Sequence, residues 1–419
     1  MENKIKQKIA RRRYLLVSIL LLVFCVLKVL RGADTESTQA GGFWNYISLF
    51  YYPLLLVGLF NFRSFKPSAV FAAPLIYSAL AMAFALCTSD IHIKLSWVYA
   101  YLMIPYFLLV FSVFYMYAED WSAGNNFILT GYFICLAINL WSCVKFLFLG
   151  GAQAMASDIY YSLGLFPFAL TFLKNKKLKN FLFVLQFAAV FLSDKRAGLI
   201  AFAIGTVIYF LASNYYSKKR NIVKTITTLV VLAVAIYAFY RISMYIDARF
   251  KLGIYERLFG IKEDDGSGRG IGYRLVWKAF LKSSFIEKIF GHGMNTAGAV
   301  AGYGKAHNDF LEILYDYGFF ACICIVVFFV ALIVRAIKML MAKSPYAPAF
   351  LFSLVTGIFL SLFSYFVVFY TYVTCITAFW GYSLAMEKKR LLVIDKGQIE
   401  KASTRNNLRP QRNARRRFI

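Results

Sequence analysis

The chain has 419 residues, of which 60% are hydrophobic and only 16% charged, and it carries a formal net charge of +27. A soluble protein of this length needs roughly a quarter of its residues charged to cover its surface, so a soluble enzyme is excluded. The cationic excess invites a nucleic-acid partner, but the placement of the basic residues accounts for it, and nucleic acid is excluded as well.

The apolar residues fall in runs of about 17 to 24, long enough at 1.5 Å per residue to cross a hydrocarbon layer near 30 Å. Backbone in lipid must satisfy its own hydrogen bonds, so the expected fold is an all-α, polytopic transmembrane bundle of about twelve helices. In chain order the candidate spans are 14–30, 43–60, 68–87, 95–117, 126–149, 157–173, 180–194, 196–212, 222–243, 313–334, 347–366 and 369–386. Residues 1–13 form a basic leader to the first span. No small-x-small cleavage site follows Leu30, so that span is expected to be retained. Spans one to nine occupy 14–243, and spans ten to twelve occupy 313–386.

Basic residues set the expected orientation. Segments 1–13, 61–67, 174–180, 213–224, 335–344 and 387–419 hold 6, 2, 4, 4, 3 and 11 Lys or Arg, 30 of the chain's 47. On the other side, 31–42 has only Arg31, 88–94 only Lys94, and 150–156 none. That asymmetry predicts cytoplasmic N- and C-termini in a multi-pass plasma-membrane protein. The tail 387–419 is polar, ends in Arg415-Arg416-Arg417, and is expected to be disordered against anionic lipid.

Between spans nine and ten lies the longest loop, 244–312, which falls outside the cytoplasm. It holds eleven of the 26 glycines. Two stretches at helical spacing, Ile246/Phe250/Ile254/Leu258 and Tyr273/Val276/Trp277/Phe280, predict short amphipathic helices at the bundle surface or the headgroup level. All seven cysteines lie in or beside apolar runs, which implies no disulfide framework and no zinc site.

Three features could carry chemistry. His307 stands where the large loop returns to span ten, with Asn308 or Asp309 placed to cap that helix. An imidazole there can take a proton from a hydroxyl; a loop histidine satisfied by a neighbour fits the same position. Ser193-Asp194-Lys195-Arg196 joins spans seven and eight at their outer ends, where positive residues are disfavoured. Ser193 or Asp194 would cap span eight and set Lys195 and Arg196 in its first turn. Two cations against the helix dipole suggest a bound anion, with snorkelling to headgroups as the plainer alternative. The glycine-rich run around Arg269, followed by Arg274 on an amphipathic stretch, suits a diphosphate, or else a mobile surface loop. Glu312 and Asp316 share a helix face near His307. A metal among His307, Asp309 and Glu312 is conceivable, but the spacing demands none.

At these residues the chain resembles the O-antigen ligase and Wzy-type polysaccharide polymerase family. The segments that carry the resemblance are Leu192-Ser-Asp-Lys-Arg196-Ala-Gly, Arg274-Leu-Val-Trp277-Lys-Ala-Phe, Phe290-Gly-His-Gly-Met-Asn and Ala306-His-Asn-Asp-Phe-Leu-Glu-Ile-Leu-Tyr-Asp-Tyr-Gly318. The last is the most specific, and the resemblance spans roughly residues 40–385 of the sequence.

The resemblance implies an inverting, metal-independent, GT-C-like glycosyltransferase, with no cofactor, in a bacterial inner membrane. Its donor would be an undecaprenyl-diphosphate-linked oligosaccharide, and its acceptor a glycan or lipid-linked glycan on the outer face. Membrane lipid, a flippase and a chain-length regulator are the candidate partners. His307 would be the general base. Arg196 and Arg274 would hold the diphosphate with Lys195, and Arg269 competes with Arg274 for that role. Asn308, Asp309 and Glu312 would support the base. Polymerase is favoured over a ligase transferring polymer to lipid A–core. A lipid-linked sugar transporter is the rival from another class, disfavoured because the charged residues cluster at helix ends.

Overall fold

A computed structural model of the protein describes residues 2–32, 68–88, 106–149, 159–193, 195–216, 269–293, 296–302, 306–364 and 370–415, together with single helical positions between 226 and 249. Every regular element among the described residues is a helix, as a chain that must satisfy its backbone inside lipid requires. The helices are α1 (Glu2–Gly32), α2 (Ala69–Thr88), α3 (Tyr106–Tyr117), α4 (Ser122–Leu149), α5 (Ile159–Phe172), α6 (Lys176–Leu192), α7 (Arg196–Tyr216), α8 (Arg269–Lys282), α9 (Phe285–Phe290), α10 (Thr296–Ala301), α11 (Asp309–Met341), α12 (Ala347–Phe363) and α13 (Tyr370–Arg415).

Three of them, over Ser122–Ser142, Arg196–Tyr215 and Asp309–Met341, are long and apolar enough to cross a bilayer. Shorter apolar helices cover Phe107–Tyr117, Ile159–Phe172 and Ala347–Phe363. The protein is therefore a helical integral membrane protein. The second span, the first half of the fourth, most of the ninth and the amphipathic stretch around Phe250 lie outside the described residues, so the structure does not yield a count of twelve.

Helices run beyond the apolar spans at both termini. The basic leader is part of α1, which starts at Glu2 and not at the edge of the apolar run. The tail, expected to be disordered, is helical through Arg415. Glu387 to Leu408 contains no proline and many good helix formers. Its first turn is also tied to the bundle: Lys389 Nζ donates to the carbonyl of Ala118 (2.6 Å) and pairs with Glu119, and the Arg390 guanidinium pairs with Glu387 (2.7 Å). Ser344 donates to the other oxygen of Glu387 at 2.6 Å.

The bundle packs through aromatic rings and buried hydroxyls. Phe166 of α5 meets Phe183 of α6, Phe202 of α7 and Phe352 of α12, with ring centroids 4.9–5.7 Å apart. Asn139 of α4 and Gln186 of α6 both donate to Ser162 of α5, each at 3.2 Å. In a solvent as apolar as the side chains themselves, such interhelical hydrogen bonds and close van der Waals fits hold helices together. Gly381 lets α13 lie against the backbone of α3, where a Cβ would strike the carbonyl of Phe111.

Two helix relations position the candidate site. α7 and α12 run antiparallel, with Gly205 against Phe352 and Thr356 and with Thr356 Oγ1 donating to the carbonyl of Ala201 at 3.4 Å. Arg196 lies five residues before Ala201, about 7.5 Å along the axis, which brings the start of α7 level with the last turn of α12. α11 meanwhile begins beside that same last turn.

Candidate functional site

The site is built where α7, α8 and α11 begin and α12 ends. Asn308 is the N-cap of α11; its side-chain oxygen accepts from the N–H of Leu311 at 2.9 Å, and its amide donates to the carbonyl of Leu362 at 2.9 Å. One residue thus caps one helix and seals the end of another. Arg269, the first residue of α8, donates to the carbonyl of Phe363 at 2.6 Å. Free carbonyls at a helix C-terminus favour such a cation.

His307 precedes the cap with φ of 56°, a left-handed backbone that few non-glycine residues adopt. Tyr273 of α8 donates its hydroxyl to the carbonyl of His307 at 2.8 Å. Burial raises the Tyr273 pKa; Arg269 opposes that shift and Asp309 adds to it, so the phenol stays a donor. The helix bearing both arginines is thereby fastened to the histidine turn.

Asp309 and Glu312, in the first turn of α11, are fully buried, with their charges at the favourable end of the helix dipole. Glu312 accepts from the N–H of Ala306 at 3.1 Å, bracing the turn from below. Among the described residues no group of three or more His, Cys, Asp or Glu side chains is arranged to hold a metal ion.

Arg274 lies on the exposed side of α8, whereas Arg269 is half-buried against the end of α12. Of the two arginines that the sequence left in competition, Arg269 is therefore the one directed at the helix ends around His307. Lys195 occupies the N-cap position of α7, its carbonyl accepting from the N–H of Leu199 at 2.9 Å, and Arg196 is the first helical residue. Ser193 does not cap α7. It closes α6, with its hydroxyl donating to the carbonyl of Val190 at 2.6 Å, because the chain has not yet turned away from that helix. Asp194 lies outside the described residues.

A second histidine has a different task. His292 stacks on Tyr315 with centroids 4.1 Å apart and planes 2° from parallel. Its Nε2 lies 3.0 Å from Ser283 Oγ, and its Nδ1 lies 3.2 Å from the carbonyl of Tyr315. Around it, the N–H groups of His292 and Gly293 donate to the carbonyls of Tyr315 and Asp316. Gly318 interrupts α11 with φ 81° and ψ −179°, and Gly291 closes α9 with φ 86° and ψ −173°. Both conformations belong to a region essentially restricted to glycine. A Cβ on Gly291 would run into the carbonyl of Asp316, and one on Gly318 into that of Ile289. The Phe-Gly-His-Gly segment is therefore a lock seated on a kink in α11.

Asp316 belongs to the same assembly. Its Oδ1 accepts from Thr296 Oγ1 at 2.9 Å and from the N–H of Ala297 at 2.7 Å, which caps α10 from outside. Asp316→Ala would strand the buried N–H of Ala297 and is expected to cost about 1–3 kcal/mol, read as a lower melting temperature of the purified protein. Asp316→Asn keeps an acceptor and should cost less.

Sequence reasoning singled out His307 and the arginines and anticipated the Asn308 cap, but missed Tyr273 as a tie, Asp316 as a cap and the paired glycines as a lock. A glycine interrupting an apolar helical run is the signal that could have found the kink.

Residues 181–326 match the family model described as O-antigen ligase (Wzy_C). That segment starts in α6, contains Arg196, Arg269, Arg274, His292 and His307, and ends in α11 beyond the kink. No curated protein matches the chain. Over this segment the chain is similar to the O-antigen ligase/Wzy-type family.

Proposed function

We propose that the protein is a Wzy-type polysaccharide polymerase: an inverting, metal-independent glycosyltransferase that moves a glycan from undecaprenyl diphosphate to a sugar hydroxyl on the outer face of the bacterial inner membrane. The observation that carries this reading is the tie from Tyr273 to the carbonyl of His307. It joins the helix of Arg269 and Arg274 to the turn of His307, the only histidine at the mouth of this site among the described residues.

The chemistry needs little more than these parts. A glycosyl diphosphate already has a good leaving group, so the main demand is stabilisation of the charge growing on the departing phosphates. Fixed guanidinium groups and helix N-termini supply that. Arg196, Arg269 and Arg274, with Lys195, would hold the diphosphate. His307 would take the proton from the acceptor hydroxyl as it attacks the anomeric carbon and the glycosyl–phosphate bond breaks. Asn308, Asp309 and Glu312 would keep the turn in place.

Deletion of the gene followed by surface-glycan analysis tests the activity. A polymerase leaves single-repeat glycan, whereas full-length polymer retained on the lipid carrier identifies a ligase instead. Arg196→Ala is expected to lower polymer yield roughly 100-fold, the range seen for one fixed charge-stabilising donor. Normal yield and chain length from a well-expressed Arg196→Ala protein would overturn its role.

A further inference from the structure

α8 and α9 carry a surface that the transfer reaction does not use. Leu275, Trp277, Leu281, Phe285, Ile286 and Phe290 are all exposed, Phe285 at 77% and Ile286 at 69%. Beside them stand Lys278, Lys282 and Lys288, while Glu287 is the sole acid from Arg269 to Phe290. The inner faces of these helices are already occupied: Gly272 and Val276 are buried, and Ile289 of α9 backs onto Gly318. What remains outward is apolar and cationic at once, which is the composition of an interfacial helix over anionic lipid.

The height of this surface follows from the lock. α9 is pinned to α11 at Gly318, and the next residues of α11, Phe319 and Phe320, begin an exposed apolar face continued by Ile323, Val326 and Val330. That face belongs to a helix long and apolar enough to cross the membrane. The exposed side chains of α9 therefore meet the bilayer where its hydrocarbon begins.

We infer that α8 and α9 form an interfacial anchor that lies in the headgroup layer and engages anionic phospholipid. In the proposed topology this is the outer leaflet. The inference does not depend on the transferase activity, and its test reads no glycan.

Trp277 is the reporter, obtained by subtracting the emission of Trp277→Phe from that of the wild type. The full chain is placed in nanodiscs of phosphatidylcholine, alone or mixed with phosphatidylglycerol, with bromine on the acyl chains either near the headgroup or near the terminal methyl. Trp277 should be quenched roughly twofold by the shallow bromine, as an indole at the interface is, and little by the deep one. Shallow quenching should be greater with phosphatidylglycerol present, and Lys278→Glu with Lys282→Glu should remove that increase. Both lysines are exposed, so the variants keep the fold, checked by an unchanged melting temperature. Quenching of Trp277 by aqueous acrylamide but not by brominated lipid overturns the inference. So does equal quenching in zwitterionic and anionic bilayers. Shielding from both quenchers in a particle of dimer mass would assign the surface to a second copy of the chain.

Discussion

His307→Asn is expected to reduce glycan transfer by roughly 100- to 10,000-fold, the range over which a positioned general base contributes. Asparagine is chosen because His307 sits at φ 56°, and asparagine enters the left-handed region more readily than most residues. The substitution removes the imidazole without straining the turn, and Tyr273 still finds the backbone carbonyl it bonds to. Expression, melting temperature and detergent-exclusion profile should match the wild type while polymer length and amount collapse. A His307→Asn protein that still assembles normal polymer would rule out the base. His292→Gln is the companion measurement: His292 is held in stacking and hydrogen bonding away from the turn, so its loss should lower stability more than turnover.

Gly318→Ala should destabilise the folded protein by about 2–6 kcal/mol. Roughly 1–3 kcal/mol comes from forcing an alanine into a backbone region that is essentially glycine-only, and a similar amount from overpacking. The added methyl has no room to relax, since the atoms it meets are the backbone of Ile289 and Gly291. Gly291→Ala should act alike from the other side, against the carbonyl of Asp316. Because each glycine makes room for the backbone of the other's segment, the double variant should be no worse than the sum of the two. The measurement is the folded, monodisperse fraction after extraction together with the melting temperature. Wild-type values for either variant would show that the two segments do not interlock.

Composition and periodicity by themselves determined that this is an all-helical membrane protein, because a chain this apolar leaves lipid as its solvent and lipid leaves helices as its backbone solution. Local chemistry also made one end of α11 legible: a short polar side chain before an apolar run caps a helix wherever the rest of the chain goes, and Asn308 does so. Ser193 shows where that logic stops. Its hydroxyl could close the helix before it or open the one after, and only the path of the chain between α6 and α7 decided for α6. The tail was misjudged for a related reason, since polarity does not reveal that Lys389 would reach Glu119 and the carbonyl of Ala118 some 270 residues away in sequence.

The remainder depended on contacts between distant segments. Nothing in the residues around Tyr273 foretells that its hydroxyl meets the carbonyl of His307, 34 positions on. That Arg269 reaches the end of α12 while Arg274 stands on the exposed side of α8 depended on which face of α8 is packed inward. The two glycines of the lock, 27 residues apart, make sense only as a pair, since each is required by the backbone of the other's segment. A sequence records which side chains are available and how a helix will start and stop; which of them converge is set by the packing of whole helices, whose energies are shared over many residues and written at no single one.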